Sequence, residues 1–390
     1  MAPPRTTVFF CFYTAFPPSG GASWVSYQVA RHWPGRRVLL QMGPSATRAR
    51  PEDGDFEVVT IPEPRAGRFG KLIGMPRLIA GMCREAKAQQ ADLLVLEGAS
   101  WAAYLSLLLR RLRREMPHAQ TLYHAHNVEY ELRKQKHSRA VAAITWLCER
   151  AIVRTADRVT AVSQRDRRVL RRLYGIDADL LPNGVDVGWL TSASTANVAA
   201  ARQRLGLGHQ VVLYMGAYAY RPNREALDFL VQEVFPAVHE RHPQAQLLVI
   251  GGTLPYKRPW LVNPGLLPAE QLPATIAAAA VCAAPIFSGS GTRLKVLEAL
   301  AVGVPVVATP KGVEGLPLRP GDVTLARSAG AFADALGAWL RRAEAGDAIA
   351  PSAAELMRSK FGWPGIVGAV VDSTTADAGA GRTDEPAGST

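Results

Sequence analysis

The sequence predicts an α/β protein of two tandem Rossmann-like domains, each a doubly wound parallel sheet, with a ligand cleft between them. Two observations carry this. Short apolar runs alternate with helical patterns along the chain, and that alternation opens twice in the same way. Val8–Tyr13, a glycine loop and a helix make the first opening; Val211–Met215, Gly216, a loop with Arg221-Pro222-Asn223 and a helix make the second. At 390 residues the chain is long enough for two domains that each bury a core.

In chain order the strand-like runs are Val8–Tyr13, Val38–Gln41, Leu93–Leu96, Thr121–His124 and Val159–Val162. A second series follows with Val211–Met215, Leu247–Ile250, Val281–Pro285 and Val304–Ala308. These runs are rich in β-branched and aromatic residues and do not alternate, as strands of a parallel sheet read when helices cover both faces. The segment from Trp101 to Leu109, running into Arg110-Arg111-Leu112-Arg113-Arg114, reads as a helix of a soluble domain. It falls well short of the ~20 apolar residues that span a bilayer. Ser163-Gln164-Arg165-Asp166 fits a capping box, and Gly175 fits the residue that ends that helix. Leu181-Pro182-Asn183-Gly184-Val185-Asp186 marks the join, with Trp189 to Asn197 as linker and domain entry. The expected organisation is a first domain over 1–185, a second over 186–360, a segment 361–372 packing back on the first, and a disordered tail over 373–390.

A chain that is 48% hydrophobic and 20% charged is not an intrinsically disordered or collagen-like one. The amino terminus reads as a first strand entering a glycine loop rather than as a secretory signal. Cys11, Cys83, Cys148 and Cys282 are far apart without a CxxC, as expected of reduced thiols in a cytoplasmic protein. The net charge of +12 is unevenly spread: residues 1–185 hold 28 basic and 16 acidic side chains, and the remainder holds 17 of each. Nucleic acid, an anionic membrane surface and an anionic small substrate compete to explain this surplus, beside a merely arginine-rich solvated surface. Nucleic acid is disfavoured, because no RRM-type interleaving, zinc-finger spacing or KH-like loop is present. An acidic lipid surface fits better.

The most informative stretch runs from Phe287 to Ala301: a strand leads into Ser288-Gly289-Ser290-Gly291-Thr292 and then a helix through Arg293, Leu294, Lys295 and Glu298. A glycine loop opening a helix lets backbone N–H groups approach an anion that the helix dipole also favours. Arg293 and Lys295 add cations where a helix start disfavours them, which makes sense if a diphosphate sits in front. Glu298 lies about 9 Å further along the axis, placed for ribose hydroxyls. The alternative is a Lys295–Glu298 surface pair at i,i+3. A G-x-G-x-x-G after the first strand is missing, which argues against a dinucleotide-dependent dehydrogenase.

This stretch resembles the donor site of retaining family 4 glycosyltransferases of the GT-B fold. The same family is matched, in order, by Pro17-Pro18-Ser19-Gly20-Gly21, His126-Asn127-Val128-Glu129-Tyr130-Glu131 and Val159-Thr160-Ala161-Val162-Ser163. Pro182-Asn183-Gly184-Val185-Asp186, Gly216 with Arg221-Pro222-Asn223, and Gly312-Val313-Glu314-Gly315-Leu316 continue the order, so the resemblance covers nearly the whole chain before the tail.

The resemblance implies a first domain that binds acceptor and a second that binds a nucleotide sugar. Glu298 resembles the second glutamate of the family's E-x7-E motif, which holds the ribose; the first would fall on Ser290. The family's Arg and Lys after the first strand of the second domain would fall on Ala217 and Pro222, leaving Arg293 and Lys295, with Arg221, to replace that charge. Gly21, Gly216, Arg221, Ser290, Gly291, Thr292, Arg293, Leu294, Lys295, Glu298 and Glu314 are the expected donor-binding residues. Gly20, His126 and Glu129 are those for acceptor, and His126, Arg293 and Lys295 the catalytic ones. Gly20 and Gly21 equally suit a tight turn with no ligand, and a histidine at a strand end is often structural.

His124 and His126 share one face if extended, which raises metal binding, but no convincing third ligand stands out and no metal or other cofactor is expected. The implied reaction moves a hexose-type sugar from a UDP- or GDP-sugar to a hydroxyl acceptor with retention. A lipid-linked saccharide or other glycan in exopolysaccharide or cell-envelope assembly is the expected acceptor, met by a cytoplasmic protein peripheral to the inner membrane face. The rivals are a sugar-nucleotide epimerase, an inverting transferase of the same fold, and an inactive nucleotide-sugar-binding protein.

Overall fold

The computed structural model describes residues 6–18, 21–52, 54–64, 68–98, 102–288, 293–314, 316, 318, 321–346 and 352–380. The chain divides into two compact units: residues 1–183 with 363–390, and residues 184–362.

The first unit contains strands β1 (Thr6–Cys11), β2 (Arg36–Gly43), β3 (Thr47–Ala49), β4 (Glu57–Pro62), β5 (Leu93–Gly98), β6 (Gln120–Ala125), β7 (Arg158–Ala161) and β8 (Asp179–Leu180). They form one sheet in the order β3-β4-β2-β1-β5-β6-β7-β8. Every pairing is parallel except that of the short edge strand β3 with β4. Its helices are α1 (Gly21–His32), α2 (Arg68–Ala88), α3 (Ala102–Glu115), α4 (Glu129–Lys136), α5 (Arg139–Thr155) and α6 (Gln164–Tyr174).

Adjacent residues of β1 serve opposite cores, which explains why the run does not alternate. Val8, Phe10 and Phe12 pack on one face with Leu105, Leu108 and Ile152. Phe9 and Cys11 pack on the other with Val25, Val29 and Trp363. Ser163 accepts from the Asp166 amide at 3.1 Å and Gly175 closes α6 at φ 70°, where a side chain would be strained.

The second unit opens with two short helices, α7 (Val187–Leu190) and α8 (Thr195–Leu205), where the sequence suggested linker. The reason lies in their caps: Asp186 accepts from the Trp189 amide at 3.0 Å, and Ser194 and Asn197 form a reciprocal capping box. Strands β9 (Val211–Met215), β10 (Gln246–Ile250), β11 (Leu261–Gly265), β12 (Val281–Ala284), β13 (Val306–Ala308) and β14 (Thr324–Leu325) follow. Their order is β11-β10-β9-β12-β13-β14, all parallel. Helices α9 (Arg221–Phe229), α10 (Phe235–Arg241), α11 (Leu272–Ala277), α12 (Leu294–Ala301), α13 (Ala329–Glu344) and α14 (Ser352–Phe361) accompany them. β9 and β12 occupy the middle of the sheet, so the turns that follow them lie side by side at its carboxyl edge, where open α/β sheets bind ligands.

Helix α15 (Trp363–Ala380) belongs to the first unit. Trp363 is fully buried, and Ile366, Val367 and Val370 pack with it on the core that holds Phe9. The helix runs to Ala380, past residue 373 where the sequence suggested a disordered tail. Among the described residues no helix is long and apolar enough to cross a membrane.

Candidate functional site

In the second unit the site grows from the turn after β9. Gly216 has φ 152°, and a Cβ there would lie 2.8 Å from the Asn223 side chain. The missing side chain lets Asn223 fold over the turn, where its Nδ2 donates to the Ala217 carbonyl at 3.1 Å. Asn223 Oδ1 accepts from Lys295 Nζ at 3.0 Å, and the Tyr214 hydroxyl accepts from the same ammonium at 3.1 Å. Lys295 Nζ also stands 4.3 Å from the centre of the Tyr214 ring.

Lys295, in the first turn of α12, thus reaches Tyr214 of β9 and Asn223, near in sequence to Ala217 and Pro222, the two positions where the resemblance would place cations. Burial lowers its ammonium to about 8. Burial likewise pushes the Glu298 carboxyl up to about 7, against the pull of Lys295. Among the described residues Lys295 and Glu298 form no ion pair, because the lysine turns toward Tyr214 and Asn223. That removes the surface-pair alternative.

Arg293 precedes α12 rather than standing in its first turn. Its side chain is 7% exposed; Nε donates to the Lys311 carbonyl at 3.1 Å, and Nη2 lies 3.7 Å from Glu314. Glu314 also pairs with Lys311. This guanidinium therefore buttresses the 3-10 turn Pro310–Val313. Arg221 pairs with Glu225 at 2.9 Å, and Glu225 accepts from the Ser288 hydroxyl at 2.6 Å, at the start of the glycine loop. Leu294 opens α12 and is partly buried. Ser290, Gly291 and Thr292 lie outside the described residues.

In the first unit Gly21 is the first residue of α1, and Gly20 lies outside the described residues. His126 follows β6, its amide donating to the Gly98 carbonyl at 3.0 Å. Glu97 and His124 are register partners across β5 and β6, so both side chains project on one face, and His126 follows two residues on. Glu97 Oε2 accepts from the Ser26 hydroxyl at 2.7 Å and lies 3.1 Å from His124 Nδ1 and 2.6 Å from His126 Nε2.

Glu97 is thus the third group that the sequence did not reveal. Two imidazoles and a carboxylate suit zinc, and their ligand atoms all lie within 4.8 Å of one another. The spacing between Glu97 and His126 is nevertheless that of a hydrogen bond. Zinc bonds of about 2.0 Å hold tetrahedral ligand atoms roughly 3.3 Å apart.

Glu129, expected to meet acceptor, is buried in the first unit. It is 4% exposed, pairs with Arg133 at 3.4 Å, and its carboxyl is pushed up to about 7 by burial. Its amide and that of Tyr130 donate to the buried Glu149 at 2.8 and 3.1 Å, so the segment from His126 to Glu129 is anchored to α5.

Family models match both halves. Residues 19–189 match a model described as Glycosyltransferase Family 4, and residues 209–342 one described as Glycosyl transferases group 1. The chain belongs to the family 4, group 1 glycosyltransferases. The chain is 32% identical to a phosphatidyl-myo-inositol mannosyltransferase of Mycobacterium leprae over 52% of its own length and 54% of that relative. It spans about half the length of the curated relatives it matches. Its fold resembles sucrose-phosphate synthase of Thermosynechococcus elongatus (TM-score 0.72, 19% identity, 96% of this chain and 100% of that one). It also resembles HepE of Anabaena in complex with UDP and glucose (TM-score 0.71, 17% identity, 95% and 99%). These likenesses establish the two parallel-sheet domains of the GT-B fold.

Proposed function

We propose that this glycosyltransferase moves a hexose-type sugar from a nucleoside diphosphate to a hydroxyl acceptor with retention of the anomeric configuration. The observation that carries the reading is Lys295, a partly buried ammonium oriented by Tyr214 and Asn223 at the mouth of the central strand. A cation held there meets a diphosphate without reorganising, and it stabilises the charge that develops as the bond to C1 breaks. Glu298, further along the same helix, receives the ribose hydroxyls. The acceptor oxygen bonds to C1 on the face that the diphosphate leaves, and the acceptor proton passes to the departing phosphate oxygen. No protein nucleophile and no metal enter this scheme. A structural neighbour that holds UDP and glucose supports a UDP-sugar donor.

The acceptor is assigned to the first unit, as a lipid-linked saccharide at an anionic membrane face. Exposed Val141, Ile144 and Leu147 on α5 and Leu107 on the adjoining α3 support this. Exposed Arg110, Arg113, Arg114, Arg139 and Arg154 lie on the same two helices. Vesicles of acidic lipid should retain the protein at low salt and release it at high salt; no retention ends the membrane assignment. The reaction itself is tested by the anomeric proton coupling of the product formed from a UDP-hexose. The donor's configuration is expected in the product, an inverted product would refute retention, and epimerised donor without transfer would establish the epimerase alternative.

A further inference from the structure

We propose that Glu97 is a positioning residue that holds His126 as the neutral tautomer protonated on Nε2, so that Nδ1 is the atom presented to a sugar hydroxyl. This rests on reading His126 as part of the transfer site. Three donors converge on the fully buried Glu97 carboxylate: the Ser26 hydroxyl, His124 Nδ1 and His126 Nε2. Ser26 has a single proton, spent on Glu97, so the Tyr13 hydroxyl at 2.7 Å donates to Ser26 and extends the chain by one link.

Burial alone would raise the Glu97 carboxyl, but the attraction of His124 and the hydrogen bonds from His124 and His126 hold it well below the usual carboxylate range. Burial lowers His126 below the usual imidazole value, so its ring is neutral at pH 7. A neutral ring 2.6 Å from a carboxylate oxygen must carry its proton on the nitrogen that faces it. Nδ1 is then bare, and among the described residues it has no partner; the side chain keeps 7% of its surface exposed.

The consequence concerns substrate class. A bare nitrogen backed by a buried carboxylate accepts from a hydroxyl and repels an anion, so the sugar met here is a neutral hexose rather than a uronic acid. Zinc on these three side chains would displace both imidazole protons assigned to Glu97, so this tautomer and a bound zinc exclude each other.

Long-range proton–nitrogen correlation on the full chain with 15N-labelled histidine reads the tautomer directly. At about pH 7 the ring whose signals His126→Asn removes should show protonated Nε2 and bare Nδ1 in the wild type. Glu97→Gln should mix the tautomers and lower kcat on the order of 100-fold, while the Kd for UDP stays the same. Ser26→Ala removes one donor but keeps the carboxylate; it should retain the tautomer and serves if Glu97→Gln does not fold. A His126 ring protonated on Nδ1 or on both nitrogens overturns the proposal. So does one equivalent of zinc in the wild type that Glu97→Gln loses. The spectrum needs no turnover, so a chain that transfers no sugar still tests the role of Glu97, and the two readings fail separately.

Discussion

Lys295→Met should leave the second unit folded and lower kcat/KM for the nucleotide sugar on the order of a thousandfold. Methionine keeps the length of the stem and removes the charge. Tyr214 and Asn223 still bond to each other through the 3.2 Å contact from the Tyr214 hydroxyl to Asn223 Oδ1, so no buried acceptor is orphaned. Removing a partly buried ammonium relieves a desolvation cost, and stability should hold or rise.

The pH dependence has a definite sign. Lys295 is lowered to about 8, so its charge is present below that pH and is lost above it. Glu298 is raised to about 7, so its carboxylate forms only above that value. Donor affinity should therefore be greatest between about 7 and 8 and fall on either side; the alkaline limb should vanish in Lys295→Met. Unchanged kcat/KM in that variant would remove Lys295 from the site.

Glu149→Ala should destabilise the first unit by about 3–5 kcal/mol, read as a shift of its transition in urea at constant slope. The carboxylate is fully buried and accepts from two amides of α4 and from the Tyr174 hydroxyl at 2.6 Å. Val128, at the N-cap of α4, makes no side-chain cap bond, so Glu149 supplies from α5 what a local serine or aspartate otherwise would. Alanine leaves three donors without that acceptor. Glu149→Gln keeps the volume and one acceptor oxygen and should lose about half as much. Because the segment from His126 to Glu129 hangs on these bonds, turnover should fall with stability. A loss below about 1 kcal/mol would show that the cap is dispensable.

The two sheets were legible because helices cover both faces, so each central strand is an unbroken apolar run bounded by turn residues. The edges were not. β3, β8 and β14 are two or three residues long and partly exposed, with no apolar run to mark them. Lys295 and Glu298 stood out because a glycine loop before a helix is a local signal. Their partners did not: Tyr214 reads as one more aromatic in a buried strand, although its hydroxyl orients the ammonium. Glu97 carried a faint signal, a single acid closing the apolar run Leu93–Leu96, but its meaning comes from register with His124, which lies 27 residues away. Glu149 looked like any glutamate on a mixed helix, because the amides it caps belong to another one. The capping of α7 and α8 was legible in Asp186 and Ser194, yet the stretch was short enough to resemble linker.

The most direct test of the donor site is calorimetric titration of the protein with UDP, GDP and their common hexose conjugates, alongside Lys295→Met and Glu298→Ala. The account predicts saturable binding of one nucleoside diphosphate and its sugar, weakened on the order of tenfold or more by each substitution. Absence of binding by every nucleotide, or equal binding by both variants, would contradict it.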